Sequence, residues 1–132
     1  MNVYAIDHLV INVRDVERSC RWYEQVLGME RLNYGKSPDR PRTAMLFGQQ
    51  RINLRPVDVA STEWGTASHA AAGTADLCFL TRLSPDEVVT HLGTCMVDVT
   101  EGPTHRDGAR GSMTSVYCRG PDGNLIEISS YG

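Results

Sequence analysis

Four residues combine chemistry-bearing side chains with positions that set them on one kind of surface: His8, Asn53, Asp76 and Glu127. An imidazole and two carboxylates are good donors for a divalent ion, and an amide oxygen is a weaker one. Each lies in a short alternating stretch that reads as a β-strand, where parity decides which face a side chain occupies. Over residues 6–13, His8, Val10 and Asn12 oppose Asp7, Leu9, Ile11 and Val13. Over residues 51–55, Asn53 opposes Ile52 and Leu54. Over residues 76–81, Asp76 and Cys78 oppose Leu77 and Phe79, and over residues 124–130, Glu127 opposes Ile126 and Ile128. If the larger apolar residues pack on helices, the four polar ones face the other side of the sheet. Burying them there is costly unless they are satisfied. Solvent, internal pairing such as His8 with Glu127, or a bound divalent ion would each satisfy them, and parity alone leaves all three open.

A second tier of residues is placed to touch a ligand. Tyr117 and Arg119 share a strand face with Ser115 and are candidates for a cavity that takes an anionic or phenolic group; a packed tyrosine and a surface arginine are the ordinary alternatives. Trp64 lies in a segment rich in small residues and is a cavity or interface candidate, whereas Trp22 packs beside its helix. His105, within Gly102-Pro103-Thr104-His105-Arg106-Asp107-Gly108, reads as a loop residue that could cover a cavity. His69 reads as a solvated loop residue and His91 as a rim residue of a helix. Cys20, Cys78, Cys95 and Cys118 are widely spaced, form no Cys-x-x-Cys pair, and are expected to be reduced thiols without a nucleophilic role.

The elements that must position these side chains repeat. A strand at 6–13 is followed by Asp15, a helix-capping residue, and by Val16, Cys20, Tyr23, Val26 and Leu27 at helical spacing, with Gly28 where a left-handed residue ends a helix. Strands are expected at 30–34, 43–47 and 51–55, with a Pro-, Gly- and charge-rich loop over 35–42. The pattern then starts again. A strand at 76–81 precedes Ser84-Pro85-Asp86-Glu87, a capping box with proline at the first helical position. Val88, Val89, Leu92 and Cys95 supply an apolar face, and strands are expected at 97–101, 114–119 and 124–130. Strand, helix, three strands, twice over, predicts an α+β fold of paired βαβββ modules, a curved mixed sheet around a cavity. Module 1 spans about 3–55, a linker 56–74, and module 2 about 75–131, together one domain of 132 residues.

Composition fits a globular chain: 41% hydrophobic and 22% charged residues, with a net charge of −3. Basic residues are dispersed, which argues against a nucleic-acid partner. No apolar run approaches the ~20 residues of a membrane span, and the N-terminal residues run directly into a strand, so a cytoplasmic location is expected. Isolated modules leave sheet edges to cover, and the linker is long enough for exchange of halves, so a homodimer is expected.

The opening Ile6-Asp7-His8-Leu9-Val10-Ile11-Asn12-Val13-Arg14-Asp15-Val16, the stretch Arg21-Trp22-Tyr23-Glu24-Gln25-Val26-Leu27-Gly28-Met29, and the close Tyr117-Cys118-Arg119-Gly120-Pro121-Asp122-Gly123-Asn124-Leu125-Ile126-Glu127-Ile128 resemble the vicinal oxygen chelate superfamily. That group includes glyoxalase I, bleomycin and fosfomycin resistance proteins and extradiol dioxygenases. Within it the chain is most similar to small glyoxalase-domain-containing or virulence-associated proteins. The resemblance implies metal ligands at His8 and Glu127. The position that often holds histidine in the second module is Asp76 here, and the fourth, a glutamate in glyoxalase I, is Asn53. The proton-abstracting glutamate of glyoxalase I thus has no evident counterpart, and the extradiol pattern of two histidines and one carboxylate is broken.

Two functions follow as expectations. In the first, a divalent ion (Mn, Fe, Ni or Zn) at His8, Asp76 and Glu127 acts as a Lewis acid on a small molecule with vicinal oxygens, in lyase, isomerase or dioxygenase chemistry. In the second, the chain sequesters an antibiotic or aromatic ligand without catalysis, in the manner of bleomycin resistance proteins.

Overall fold

A computed structural model describes residues 1–35 and 41–132 and divides the chain into two compact units, Met1–Gly73 and Thr74–Gly132. Most of the loop expected over 35–42 lies outside the described residues.

The first unit runs β1 (His8–Val13), α1 (Val16–Leu27), β2 (Glu30–Tyr34), β3 (Arg42–Phe47) and β4 (Gln50–Pro56). Its sheet has the order β1-β4-β3-β2, with β1 parallel to β4 and the other pairs antiparallel. The helix starts where the capping signal places it: the Asp15 carboxylate accepts the Arg18 backbone N–H at 3.0 Å. It ends at Gly28, whose φ of 66° is the left-handed conformation that costs a residue without a Cβ nothing. Cys20, Tyr23 and Val26 of α1 are buried with Ile11, Val13, Met45, Ile52 and Leu54 of the sheet. Arg31, on that same sheet face, clamps the helix from the side by donating to Glu17 at 2.6 Å and to Glu24 at 2.8 Å. The guanidinium holds the Glu17 carboxyl below the ordinary carboxylate range.

The second unit repeats the plan with β5 (Asp76–Leu80), α2 (Pro85–Thr94), β6 (Glu101–Gly108), β7 (Gly111–Arg119) and β8 (Leu125–Ser130), in the sheet order β5-β8-β7-β6. Here too the first and last strands are parallel. The Ser84 hydroxyl accepts the Glu87 N–H at 3.2 Å and donates to the Glu87 carboxylate at 3.1 Å, so the expected capping box forms. Cys95 caps the C-terminal end of α2 rather than extending its apolar face. Val88 and Leu92 of the helix and Val116, Cys118, Ile126 and Ile128 of the sheet make the core of this unit. Burial pushes the Cys118 thiol up to about 11, as expected for a cysteine that behaves as a small apolar residue. All four cysteines are free.

Three strands depart from the sequence reading by two residues or more, among them β7, which opens at Gly111 rather than at 114. β1 begins at His8, two residues later than expected, and β6 occupies Glu101–Gly108 where a strand over 97–101 and then a loop were expected. The β6–β7 register shifts between Glu101 and Thr104, an irregularity that fits the Gly-Pro pair at that point. Gly102 has a φ of 101°, and a Cβ there would overlap the Ser115 carbonyl oxygen, so only glycine lets β6 lie against β7.

The segment expected as a linker begins by packing on the first unit. Arg55, 1% exposed, donates from Nε and Nη2 to the Trp64 carbonyl at 3.0 and 2.8 Å, from Nη2 to the Val59 carbonyl at 2.9 Å, and from Nη1 to the Asn12 side-chain oxygen at 2.7 Å. A guanidinium has five donors, and this one uses four of them to close residues 56–64 over the end of β1 and β4. Among the described residues, no helix is long and apolar enough to cross a membrane.

Candidate functional site

The strand registers place the sequence-derived donors in corresponding positions of the two units. In the first, Val10 is in register with Asn53 across the parallel β1–β4 ladder, and His8 stands two residues before Val10 on the same face. In the second, Cys78 is in register with Glu127 across β5–β8, and Asp76 stands two residues before Cys78. Each unit therefore carries its pair of donors on the sheet face opposite its large apolar residues, as parity implied. His8 and Asp76 open the edge strands of their sheets, while Asn53 and Glu127 lie on interior strands.

The local chemistry of the two pairs differs. His8 is partly exposed, and its Nδ1 lies 2.8 Å from an Asp7 carboxylate oxygen, an arrangement that fixes the ring and leaves Nε2 as the free donor. Asn53 is 5% exposed, and its Oδ1 is a buried acceptor with no hydrogen-bond partner. An unpaired buried carbonyl oxygen is destabilising by itself, and a cation or ligand donor would satisfy it.

Glu127 is anchored at one oxygen. Its Oε2 accepts the Ser115 hydroxyl at 2.6 Å and faces the Ser129 hydroxyl at 3.2 Å. Ser115 and Ser129 are themselves 2.6 Å apart and almost wholly buried, and the Cys78 sulfur lies 3.3 Å from Ser129 Oγ. Burial pushes the Cys78 thiol up; the Ser129 hydrogen bond opposes that shift and the Glu127 charge reinforces it.

Tyr117, in register with Glu127 on β7, adds a hydroxyl to the same face. Arg106 Nε donates to that hydroxyl at 3.0 Å, and the guanidinium lies 5.3 Å from the ring centroid while another of its nitrogens donates to Glu101 at 2.8 Å. Burial pushes the Tyr117 phenol up against the opposing pull of Arg106. Arg119 shares the face but directs a donor to the Gly123 carbonyl at 3.3 Å, bracing the β7–β8 turn.

The remaining candidates divide. His105 is not on a loop: it lies in β6, in register with Thr114, on the face away from Arg106, and is 3.7 Å from Asp107. Trp64 is buried to 9% exposure, and the Arg42 guanidinium stacks 4.1 Å above its ring. It lines a cavity of about 380 Å³ in the first unit with Val16, Thr43 and Leu54. Ser115, Ser129, Arg106 and Glu101 are site residues that the sequence reading did not single out. The serines share odd parity with Glu127, a signal that was available; Arg106 was hidden by the misplacement of β6.

In neither unit do three or more His, Cys, Asp or Glu side chains gather around one point among the described residues. Each unit supplies two of the four donors, and the donor set is chemically suited to an ion of intermediate hardness: one imidazole, two carboxylates and an unsatisfied amide oxygen.

Paired mixed sheets, each with a helix on its apolar face and polar donors on the other, define a scaffold made of two βαβββ modules. The match of residues 5–128 to the family model "Glyoxalase/Bleomycin resistance protein/Dioxygenase superfamily" shows that the chain belongs to that superfamily. It is 40% identical over 131 residues to virulence protein STM3117 of Salmonella typhimurium, covering 99% of this chain and 87% of that protein. It is 37% identical over 131 residues to the glyoxalase domain-containing protein RDO1 of Mycosarcoma maydis, covering 99% and 70%. Among solved structures, the integron cassette protein VCH_CASS1 of V. cholerae superposes with a TM-score of 0.92 at 39% identity, covering 100% of this chain and 98% of that one. A lactoylglutathione lyase from Agrobacterium tumefaciens (23% identity, TM-score 0.72, covering 99% and 96%) and the antibiotic binding protein TnmS3 from Streptomyces (17%, 0.74, 98% and 98%) share the fold alone.

Proposed function

We propose that this chain is a metal-dependent enzyme of the superfamily, acting on a small molecule with adjacent oxygens, and that His8, Asp76 and Glu127 hold the ion with Asn53 as a weak fourth donor. The observation that carries the reading is the buried, unpartnered Oδ1 of Asn53, on the same sheet face as His8. A cation beside it would relieve that cost. The anchoring of Glu127 Oε2 by two buried serines supports the same reading, since it orients the carboxylate in advance. When bound, such an ion supplies Lewis-acid stabilisation of negative charge developing on a substrate oxygen, in lyase, isomerase or dioxygenase chemistry. The protein's own part is to orient. Asp7 fixes the His8 ring, Ser115 and Ser129 fix Glu127, and Arg106 holds the Tyr117 hydroxyl ready to hydrogen-bond a substrate oxygen.

In this reading each unit supplies two of the four donors. Elemental analysis of protein purified without a histidine tag tests it: a divalent metal near one equivalent in the wild type, and far less in Glu127→Gln, is the expected result.

A second reading rests on the cavity beside Trp64, whose volume suits a small aromatic ligand. In that reading the chain sequesters its ligand without catalysis, and the wild type carries no metal even after exposure to manganese, nickel or zinc.

A further inference from the structure

The inner face of the second unit holds a chain of hydrogen-bonding groups with a definite polarity. Its first member is the Glu127 carboxylate, an acceptor only. Ser115 Oγ donates to Glu127 Oε2 at 2.6 Å, a short charge-assisted bond. A hydroxyl has one proton, so Ser115, once committed to Glu127, can act toward Ser129 only as an acceptor. Ser129 Oγ lies 2.6 Å from Ser115 Oγ and 3.2 Å from Glu127 Oε2, so its one proton is shared between the two. The Cys78 sulfur, 3.3 Å from Ser129 Oγ, donates the third proton. Three protons serve four contacts, two of which end on the same Glu127 oxygen. Ser115 and Ser129 are 0% and 1% exposed, so water cannot replace either hydroxyl without rearrangement of the sheet.

We propose that Ser115 and Ser129 are positioning residues, a buried relay that holds Glu127 through Oε2 and so orients its carboxylate for a ligand. The inference rests on reading Glu127 as a metal ligand, and it names the groups that make this glutamate a better ligand than a free side chain. A carboxylate on a strand has rotational freedom about its terminal torsion, and ligation freezes it. Hydrogen bonds from neighbouring groups fix ligating carboxylates in advance, and their loss typically weakens metal affinity by 10–100-fold. The relay has no counterpart at the corresponding position of the first unit, where the Asn53 side-chain oxygen has no hydrogen-bond partner at all. The two modules thus divide the work: one donor is fixed in advance, and the other is left to be satisfied by what binds.

The experiment has two readouts on the full-length protein. The first is proton NMR of metal-free wild type, Ser115→Ala and Glu127→Gln, searching for a slowly exchanging downfield hydroxyl proton. The expected result is a signal present in the wild type and absent from both variants. Its absence from the wild type, or its persistence in Glu127→Gln, overturns the relay. The second is manganese titration of wild type, Ser115→Ala, Ser115→Thr and Ser129→Ala. Ser115→Ala is expected to weaken manganese binding at least tenfold, Ser115→Thr to keep the hydroxyl and most of the affinity, and Ser129→Ala to fall between them. Equal affinity in wild type and folded Ser115→Ala overturns the proposal. If Ser115→Ala does not fold, Ser129→Ala decides it by the same criterion. A wild type that takes up no manganese but shows the protected hydroxyl proton overturns the metal reading and leaves the relay standing.

Discussion

Cys78 and Glu127 face each other in register across the parallel β5–β8 ladder, and the Ser129 hydroxyl joins the thiol to the carboxylate. A thiol held this way ionises in the field of the carboxylate. Burial and the Glu127 charge both disfavour the thiolate, so Cys78 ionises above its ordinary range. Replacing Glu127 by Gln removes the negative charge, which favours the thiolate and moves the thiol's titration to lower pH. The pH profile of Cys78 reaction with a thiol reagent, in a Cys95→Ser background, is expected to shift down in Glu127→Gln. An unchanged or upward shift contradicts the contact.

The buried Arg55 is expected to dominate the stability of the first unit. Arg55→Met keeps the apolar stem but leaves the carbonyls of Trp64 and Val59 and the Asn12 side-chain oxygen without the donors they now have. The expected loss is about 2–4 kcal/mol, measured by urea denaturation. A loss below ~1 kcal/mol would mean that water takes over those acceptors and that residues 56–64 are not held by this side chain.

The alkaline limit of the fold has an assignable contributor. Cys118 ionises at about 11 in the folded protein against an ordinary 9.0, because burial disfavours the thiolate. Below pH 9 both states keep the proton, and this contribution to stability is whole. As pH rises from 9.0 to about 11 the unfolded chain loses its proton while the folded one retains it, so stability falls. The fall attributable to this thiol is roughly 2–3 kcal/mol. Cys118→Val should flatten the stability profile over that window; an identical slope in the variant would assign it to other groups.

Gly102 is expected to tolerate no side chain. Its φ of 101° and the overlap a Cβ would make with the Ser115 carbonyl oxygen set Gly102→Ala at a cost of about 2 kcal/mol or more. The strain falls on the residue that donates to Glu127, so manganese binding should weaken along with the melting temperature. A variant as stable as wild type would show that β6 and β7 can separate here without penalty.

Much of this arrangement was legible in the sequence, and what was not has physical reasons. Caps at Asp15, Gly28 and Ser84 marked helix ends because each of those residue types solves a local backbone problem at that position. The faces of His8, Asn53, Asp76 and Glu127 followed from a period of two, which a strand cannot evade without a bulge. β6 was misplaced because residues 101–108 contain two glycines, a proline and four ionisable residues that read as a loop; as an edge strand, β6 tolerates them. That error put His105 on a loop and hid Arg106, which stands on the alternate face and bonds Tyr117. Ser115 and Ser129 were in view by parity, but a serine declares no chemistry until its partner is known. The fate of residues 56–64 depended on the burial of Arg55, and a charged residue in an alternating strand reads as solvent-facing.

The other expectations at this face follow from the proposal that His8, Asp76 and Glu127 bind one divalent ion with Asn53 contributing weakly. Calorimetric titration of metal-free protein with manganese tests it most directly, comparing wild type with His8→Ala, Glu127→Gln and Asn53→Ala. Saturable binding is expected in the wild type, with a loss of at least tenfold in affinity for His8→Ala and Glu127→Gln and a smaller loss for Asn53→Ala. Wild-type protein that shows no heat of binding and retains no manganese, nickel or zinc at saturating concentration, or variants that bind as tightly as wild type, would contradict it.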